Sequence, residues 1–148
     1  HKELWGQSGP VTPGAVVPLG RAHTVRAGSD VTLVSWSRQL QACEQAAEQL
    51  AAQGVQAELI DLRTIWPWDR DAVLASAART KRLLVVHEAI QVAGFGAEIA
   101  ATVAEHTGAK VARLGAPRIP VGYAPTLEAQ ARISAEQIVA ATQRLLQR

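Results

Sequence analysis

The segment from His87 to Ala100, HEAIQVAGFGAEIA, places a histidine and a glutamate before two closely spaced glycines. A His-Glu pair can perform acid–base chemistry, because an imidazole titrates near neutral pH. His87 and Glu88 have two interpretations, direct chemistry or a contact with a neighbouring domain or subunit. The contact is favoured, since no Ser or Cys nucleophile lies on a recognisable elbow.

The two glycines of this segment have the spacing of a phosphate-binding loop but lack the rest of the motif. A dinucleotide fingerprint requires a third glycine three residues after Gly96, where this chain has Ile99, and no Gly-Lys-Ser/Thr sequence is present. We therefore predict a strand-to-helix turn, because glycine closes tight turns easily. The alternative is a small-molecule binding domain that uses the His87–Gly96 loop for an anionic ligand.

Aromatic residues form a second group of candidates. The loop TIWPWD carries Trp66 and Trp68 on either side of a proline, and Tyr123 lies between two prolines. Large aromatic side chains often anchor protein interfaces, although they can equally close over the core of their own domain. The predicted interface residues are Trp66, Trp68, His87, Glu88, Phe95 and Tyr123.

Neither a metal site nor a catalytic residue is predicted in this chain. The four histidines are far apart in sequence and have no partners at metal-ligand spacing. Cys43 lies in the apolar stripe of a predicted helix, which favours a buried structural thiol.

The composition limits the possible classes of protein. The 148 residues suffice for one domain, and the net charge of +2 comes from scattered basic residues, which argues against nucleic-acid binding. No apolar run approaches the roughly 20 residues that span a bilayer, so no membrane partner is predicted. The lone cysteine and the lack of a signal-like start make the cytoplasm the expected compartment.

Hydrophobic periodicity predicts a regular alternation of strands and helices after a Pro- and Gly-rich segment, residues 1–20, which we interpret as an interdomain linker. A short strand at 22–26 and the turn AGSD predict a hairpin with the next strand. The other predicted strands are VTLVSW (31–36), AELI (57–60), RLLVVH (82–87) and KVARL (110–114). Four helices are predicted. The first covers 40–51, the second begins after its cap Asp69, and the third runs from about Ala97 to Gly108. A Pro-rich loop at 115–125 follows the last strand, and the fourth helix begins after its cap Ser134.

This alternation predicts the α/β class, with a mostly parallel sheet covered by helices on both faces. The expected architecture is a three-layer α/β/α sandwich formed by residues 21–148.

Several segments, taken in order, resemble one family. PLGRA, GSDVTLVSW, DLRTIWPWD, RLLVVHEA, GFGAEIA and YAPTLE are similar to the carboxy-terminal, transketolase-like domain of the beta subunit of thiamine-dependent 2-oxoacid dehydrogenases. HKELW looks like the linker before that domain, so the chain is expected to be part of a longer subunit. The resemblance implies a mixed five-stranded sheet with one antiparallel edge strand.

The resemblance also implies a function for the complete enzyme. Such a beta subunit pairs with an alpha subunit and a second beta subunit in a heterotetramer, decarboxylates a 2-oxoacid, and transfers the acyl group to lipoyl groups of a dihydrolipoyl acyltransferase core. Thiamine diphosphate and magnesium would bind between the alpha subunit and the preceding beta domain. This chain would then be an assembly domain that is inactive in isolation and holds neither cofactor.

The substrate stays open between two groups of relatives. DLRTIWPWD and VHEA look most like branched-chain enzymes, whereas YAPTLE looks more like pyruvate or acetoin enzymes. Where the family often has two glycines before the phenylalanine, this chain has Ala93 and Gly94.

A second alternative is the same domain from another transketolase-like enzyme, such as a deoxyxylulose phosphate synthase.

Overall fold

The chain forms a sheet with helices on both faces, and a computed structural model describes residues 1–147. Five strands and five α-helices occur in this range. The strands are β1 (His23–Arg26), β2 (Val31–Ser35), β3 (Ala57–Asp61), β4 (Arg82–Ile90) and β5 (Lys110–Ala116). The helices are α1 (Gln39–Ala52), α2 (Arg70–Thr80), α3 (Gly96–Thr107), α4 (Pro125–Ala131) and α5 (Ala135–Gln147).

The strands form one five-stranded sheet in the order β1-β3-β2-β4-β5. β1 is antiparallel to β3, and all other neighbours are parallel. β2 lies at the centre, where Val34 pairs with Ile60 of β3 and with Val85 of β4. The mixed sheet with an antiparallel edge strand is confirmed.

The predicted hairpin between the first two strands is wrong, because β1 pairs with β3 and β2 lies on the other side of β3. The connecting turn crosses the amino end of β3, where the Gln56 carbonyl accepts hydrogen bonds from the amides of Ser29 and Asp30, both at 2.9 Å. Gly28 makes this crossing possible. A Cβ atom at this position would lie 2.2 Å from the Ala57 carbonyl carbon, too close for any other residue.

Two apolar clusters fill the space between the sheet and its helices, which confirms the three-layer sandwich. On one face α1 and α5 pack against alternate strand residues such as Leu33 and Leu84. On the other face α2 and α3 pack against Val34 and Val85. Because successive residues of a strand point to opposite faces, both faces of the central strands are apolar.

Three elements differ from their predicted form. β4 continues three residues past the predicted end at His87, and α4 forms within a stretch that had no predicted helix. Pro125 at the first position of α4 is typical of a helix start, since proline has no amide hydrogen to leave unpaired there. In the predicted linker, a 3-10 helix covers Lys2–Leu4, and residues 5–20 contain no helix or strand.

Candidate functional site

The candidate residues gather at the carboxyl edge of the sheet, where the four parallel strands β2 to β5 end. Open α/β sheets usually bind their ligands at this edge. Of the six residues predicted as interface positions, Trp66, Trp68, Phe95 and Tyr123 lie on the loops that follow β3, β4 and β5, and His87 and Glu88 lie near the carboxyl end of strand β4, before its loop.

His87 is completely buried inside the chain, although its sequence position indicated a surface contact. Its Nδ1 lies 3.0 Å from the Ala89 carbonyl oxygen, which accepts a hydrogen bond from the Nδ1–H tautomer. Nε2 is buried without a hydrogen-bond partner among the described residues. Burial lowers the pKa of the imidazole, the Ala89 carbonyl opposes this, and Arg113 lowers the pKa further. The ring is therefore neutral at physiological pH.

Three glycines enclose the ring of His87. A Cβ atom would lie 2.6 Å from Cε1 at Gly94, 2.5 Å from Nε2 at Gly96 and 2.8 Å from Cε1 at Gly115. Real Cβ atoms do not approach this closely, so only glycine fits at these positions. The spacing of Gly94 and Gly96 is thus explained by packing against an imidazole, and the predicted turn between β4 and α3 is present.

Aromatic rings extend this packing toward the surface. Trp36, which follows β2, stacks on His87 with ring centroids 5.6 Å apart and planes 14° apart. Phe95 makes edge contacts with Trp36 at 6.1 Å and with Trp68 at 6.3 Å. These four residues, the aromatic cluster, hold the β4–α3 turn against the sheet. Of the two tryptophans in TIWPWD, Trp68 closes over the domain's own core and Trp66 is 81 % exposed.

Glu88 belongs to a charged group on the other side of β4. Adjacent strand residues point to opposite faces, so the side chains of His87 and Glu88 diverge. Glu88 Oε1 lies 3.4 Å from His1 Nε2, and burial raises the pKa of this carboxyl. Nearby, Glu3 pairs with Arg38 and Arg132, and the hydrogen bond from Arg38 lowers the pKa of the Glu3 carboxyl. The structure thus provides no His-Glu dyad.

We call the exposed apolar side chains of three chain segments at the carboxyl edge of the sheet the carboxyl-edge surface. They occur after β3, at the end of β4 and in the turn behind it, and between β5 and the middle of α4. The members are Ile65, Trp66, Ile90, Val92, Ile119, Val121, Tyr123 and Leu127. Tyr123 has its whole side chain in solvent. Large apolar residues grouped in this way are typical of surfaces that contact another protein.

The described residues do not fit a magnesium–thiamine diphosphate site. No three His, Cys, Asp or Glu side chains within residues 1–147 come close enough to hold a metal ion. The imidazole at the carboxyl edge is enclosed by glycine and tryptophan rather than open to a ligand. No helix in this range is long and apolar enough to cross a bilayer.

Cys43 is buried in the interface between α1 and the sheet, as its place in an apolar stripe predicted. Burial raises the pKa of its thiol to about 12. The thiolate, which is the reactive form, is therefore scarce in the folded chain.

Sequence reasoning missed two features of this region. Trp36 was interpreted as the end of a buried strand, although its position directly after β2 placed it at the carboxyl edge. The pairing of Glu3 with Arg38 and Arg132 joins residues more than 30 positions apart in the sequence and leaves no local signal.

Comparison with known proteins gives a family match over most of the chain. Residues 20–138 match the family described as "Transketolase, C-terminal domain". The solved structure of a split-gene transketolase, described as an inactive beta4 tetramer, superimposes with a TM-score of 0.83 at 26% identity. The superposition covers 93% of this chain and 46% of that one.

Curated relatives are beta subunits of dehydrogenases. The beta subunit of the mitochondrial pyruvate dehydrogenase E1 component from Dictyostelium discoideum is 40% identical over 137 residues, which cover 90% of this chain and 38% of the relative. The mitochondrial 2-oxoisovalerate dehydrogenase subunit beta 2 from Arabidopsis thaliana is 50% identical over 90 residues, 61% of this chain and 25% of the relative. The chain thus spans less than half the length of these proteins.

Proposed function

The chain belongs to the transketolase carboxy-terminal domain family, and from this premise we propose that it is the assembly domain of the beta subunit of a thiamine-dependent 2-oxoacid dehydrogenase. The relatives named pyruvate dehydrogenase and 2-oxoisovalerate dehydrogenase support the enzyme class. In this proposal the domain spans residues 21–148, residues 1–20 link it to a preceding domain, and its own task is contact rather than chemistry.

The observation that carries the proposal is the carboxyl-edge surface. Eight large apolar side chains are exposed there, six on the loops after β3, β4 and β5 and two at the end of β4 and in α4. Exposed apolar area is costly in water, and a partner that covers it contributes roughly 25 cal/mol for each Å² buried. Trp66 and Tyr123 have the size and polar tips typical of residues that anchor interfaces.

The buried residues behind this surface give it a fixed shape. Phe95 makes edge contacts with both Trp68 and Trp36, and Trp36 stacks on His87. We propose that His87 and Phe95 support the contact from within, while Trp66 and Tyr123 touch the partner directly. Glu88 is half-buried and lines a hollow together with Val121 of the carboxyl-edge surface, so it can accept hydrogen bonds at the border of the same interface.

The proposed partners are an alpha subunit, a second beta subunit and the dihydrolipoyl acyltransferase core, in a heterotetrameric enzyme. The similar split-gene transketolase is described as an inactive beta4 tetramer, which supports a proposal that a second beta subunit is a partner. Thiamine diphosphate and magnesium would be held elsewhere in the complete enzyme, since the described residues do not form a site for them. No step of the reaction is assigned to this chain.

The 2-oxoacid is proposed to be either pyruvate or a branched-chain 2-oxoacid. The names of the relatives include both classes. A cytoplasmic location stays a prediction, and the names of both relatives place those proteins in mitochondria.

Co-purification tests the proposal. The complete gene product that contains this chain is expressed with the products of adjacent genes, and the purified material is assayed with thiamine diphosphate and magnesium. Pyruvate and 2-oxoisovalerate are compared as substrates. We expect an alpha subunit to co-purify and one substrate to be turned over, with loss of activity when thiamine diphosphate is omitted.

A gene product that purifies alone and turns over neither acid would overturn the assignment. The isolated 148-residue chain is the matched control, because the proposal predicts that it is inactive with either acid. Activity of this isolated chain would equally contradict an assembly role.

A further inference from the structure

Strand β5 presents an unpaired edge. It pairs with β4 on one side, and no other strand within residues 1–147 pairs with it. Residues 111–114 are only partly buried and Lys110 is exposed. An open edge offers amide and carbonyl groups to an additional strand, and such edges are common sites of peptide recognition.

A groove, the β5 groove, lies between this edge and helix α5. One hollow of about 330 Å³ has apolar walls formed by Leu114 of β5 and Leu145 of α5. A second hollow of about 380 Å³ continues toward the loop after β5 and shares Gln91 and Leu114 with the first. The two hollows are therefore neighbours along the carboxyl half of β5.

The charged side chains that line the β5 groove are all positive. Arg113 and Arg144 line the first hollow, Arg118 lines the second, and neither hollow is lined by a carboxylate. None of the ion pairs described within residues 1–147 uses Arg113, Arg118 or Arg144. Arg113 also donates a hydrogen bond to the Gln91 carbonyl at 2.9 Å, which fixes its side chain at the rim.

We propose that the β5 groove binds an extended, acidic segment of a partner protein, which adds to the sheet as a sixth strand beside β5. The backbone of that segment pairs with residues 110–114, a length of roughly 17 Å at about 3.3 Å per residue. Alternate side chains would be apolar, facing Leu114 and Leu145, while carboxylates at the ends meet the arginines. The second hollow shares Val92 with the carboxyl-edge surface, but the backbone pairing proposed here uses residues 110–114 and Arg144, which lie outside that surface. The proposal therefore does not depend on the function proposed above.

Fluorescence anisotropy with a labelled octapeptide of alternating Glu and Val tests the proposal on the 148-residue chain. We expect saturable binding that weakens with salt, because the arginines contribute electrostatically. A Lys-Val peptide of the same length is expected to bind at least about tenfold more weakly. N-methylation of alternate amides in the Glu-Val peptide is expected to weaken binding about tenfold or more, since it removes main-chain donors.

Two charge reversals locate the site. Arg144→Glu is expected to weaken binding of the Glu-Val peptide at least about fivefold, whereas Arg21→Glu, on an exposed residue before the opposite edge strand, changes it less than about twofold. Hydrogen exchange is expected to show peptide-dependent protection of residues 110–116.

Equal binding of the two peptides, equal effects of the two reversals, or indifference to N-methylation would each overturn the proposal. Dimerisation of the chain that Arg144→Glu abolishes would assign the edge to a second copy instead, and would overturn it as well.

Discussion

His87 is enclosed because the backbone around it has glycine at three positions. Each of Gly94, Gly96 and Gly115 brings main chain against the ring where a Cβ atom would overlap it. The stacked indole of Trp36 covers the fourth side. The His87 ring therefore packs against both the β4–α3 turn and β5. Its role is structural packing rather than proton transfer.

Replacement of Gly96 by alanine tests this packing. The new Cβ atom would meet the His87 ring at 2.5 Å, and overpacking of this kind costs about 1–3 kcal/mol. We expect Gly96→Ala to lower the free energy of unfolding by that amount in urea titrations. Gly9→Ala, where nothing lies within 4 Å, is the control and should change it by less than about 0.5 kcal/mol.

A double variant shows whether the ring is the obstacle. When His87→Ala is combined with Gly96→Ala, the loss should be smaller than the sum of the two single losses, because the methyl group then has space. Strictly additive losses would contradict the account of the glycine spacing.

The titration of His87 gives a prediction about pH. Burial holds the pKa of its imidazole below the ordinary value, so the unfolded chain binds this proton more readily than the folded one. The stability contributed by neutral His87 is complete above about pH 6.5 and declines as the pH falls below it, by at most about 1.4 kcal/mol per pH unit.

Urea unfolding of the wild type and of His87→Phe between about pH 5 and pH 8 measures this contribution. The phenyl ring keeps the stack on Trp36 but does not titrate. We expect the wild type to lose more stability than the variant toward low pH. Parallel pH profiles would show that the imidazole is not the titrating group.

At the scale of elements, the periodic parts of the fold were predictable and the pairing of β1 was not. Strands and helices from 31 to 114 were recognised because apolar residues recur at every position of buried strands and at three- and four-residue spacing in helices. The partner of β1 was missed because the turn after it has ordinary hairpin composition. Its path is set by a contact between Gly28 and Ala57, far apart in sequence.

In the candidate site too, local sequence predicted some features, and others depend on contacts between distant residues. Glycine spacing predicted the turn, and aromatic composition at the carboxyl edge pointed to Trp66 and Trp68. Which tryptophan faces solvent depends on Phe95, which contacts Trp68 and is itself in contact with Trp36, and these rings meet only after the strands have assembled. Burial of His87 likewise depends on Gly115 from another strand, and local sequence carries no sign of it.

Asp69 connects two elements, and its replacement should cost more than loss of an ordinary helix cap. Its Oδ1 accepts a hydrogen bond from the Ala72 amide at the start of α2, at 3.2 Å, and its Oδ2 accepts one from the Ala22 amide next to β1, at 3.0 Å. We expect Asp69→Ala to lower the free energy of unfolding by about 2–3 kcal/mol.

Ser134→Ala is the matched comparison in the same urea titration. Ser134 caps only α5, where its hydroxyl accepts from the Gln137 amide at 3.3 Å, so about 1 kcal/mol is expected. Equal losses for the two variants would mean that the bond to Ala22 contributes nothing.

At the scale of the whole molecule, large apolar side chains within residues 1–147 are exposed in two places: the carboxyl-edge surface and the segment before β1, which exposes Trp5, Val11, Val16, Val17 and Leu19. The carboxyl edge exposes Trp66, Tyr123 and their apolar neighbours, while the outer faces of the helices expose polar and small residues, as α3 does with Glu105 and Ala104. The aromatic cluster lies beneath the carboxyl-edge surface and keeps its loops in place. A rigid surface of this kind suits a preformed partner, because few of its side chains lose conformational freedom on association.

The most direct test of the assembly role compares two variants of the complete subunit in the co-purification experiment. Trp66→Glu places a charge at the carboxyl-edge surface, and Ala104→Glu places one at an exposed position of α3 away from it. Unfolding in urea should be the same for both within about 0.5 kcal/mol, since neither side chain is buried.

The quantity to measure is the amount of alpha subunit that co-purifies with each variant. The account predicts that Trp66→Glu lowers it at least about tenfold, because a charge in the centre of an interface is desolvated without a partner, and that Ala104→Glu leaves it unchanged. Equal recovery with the two variants would contradict the assignment of the carboxyl edge to assembly.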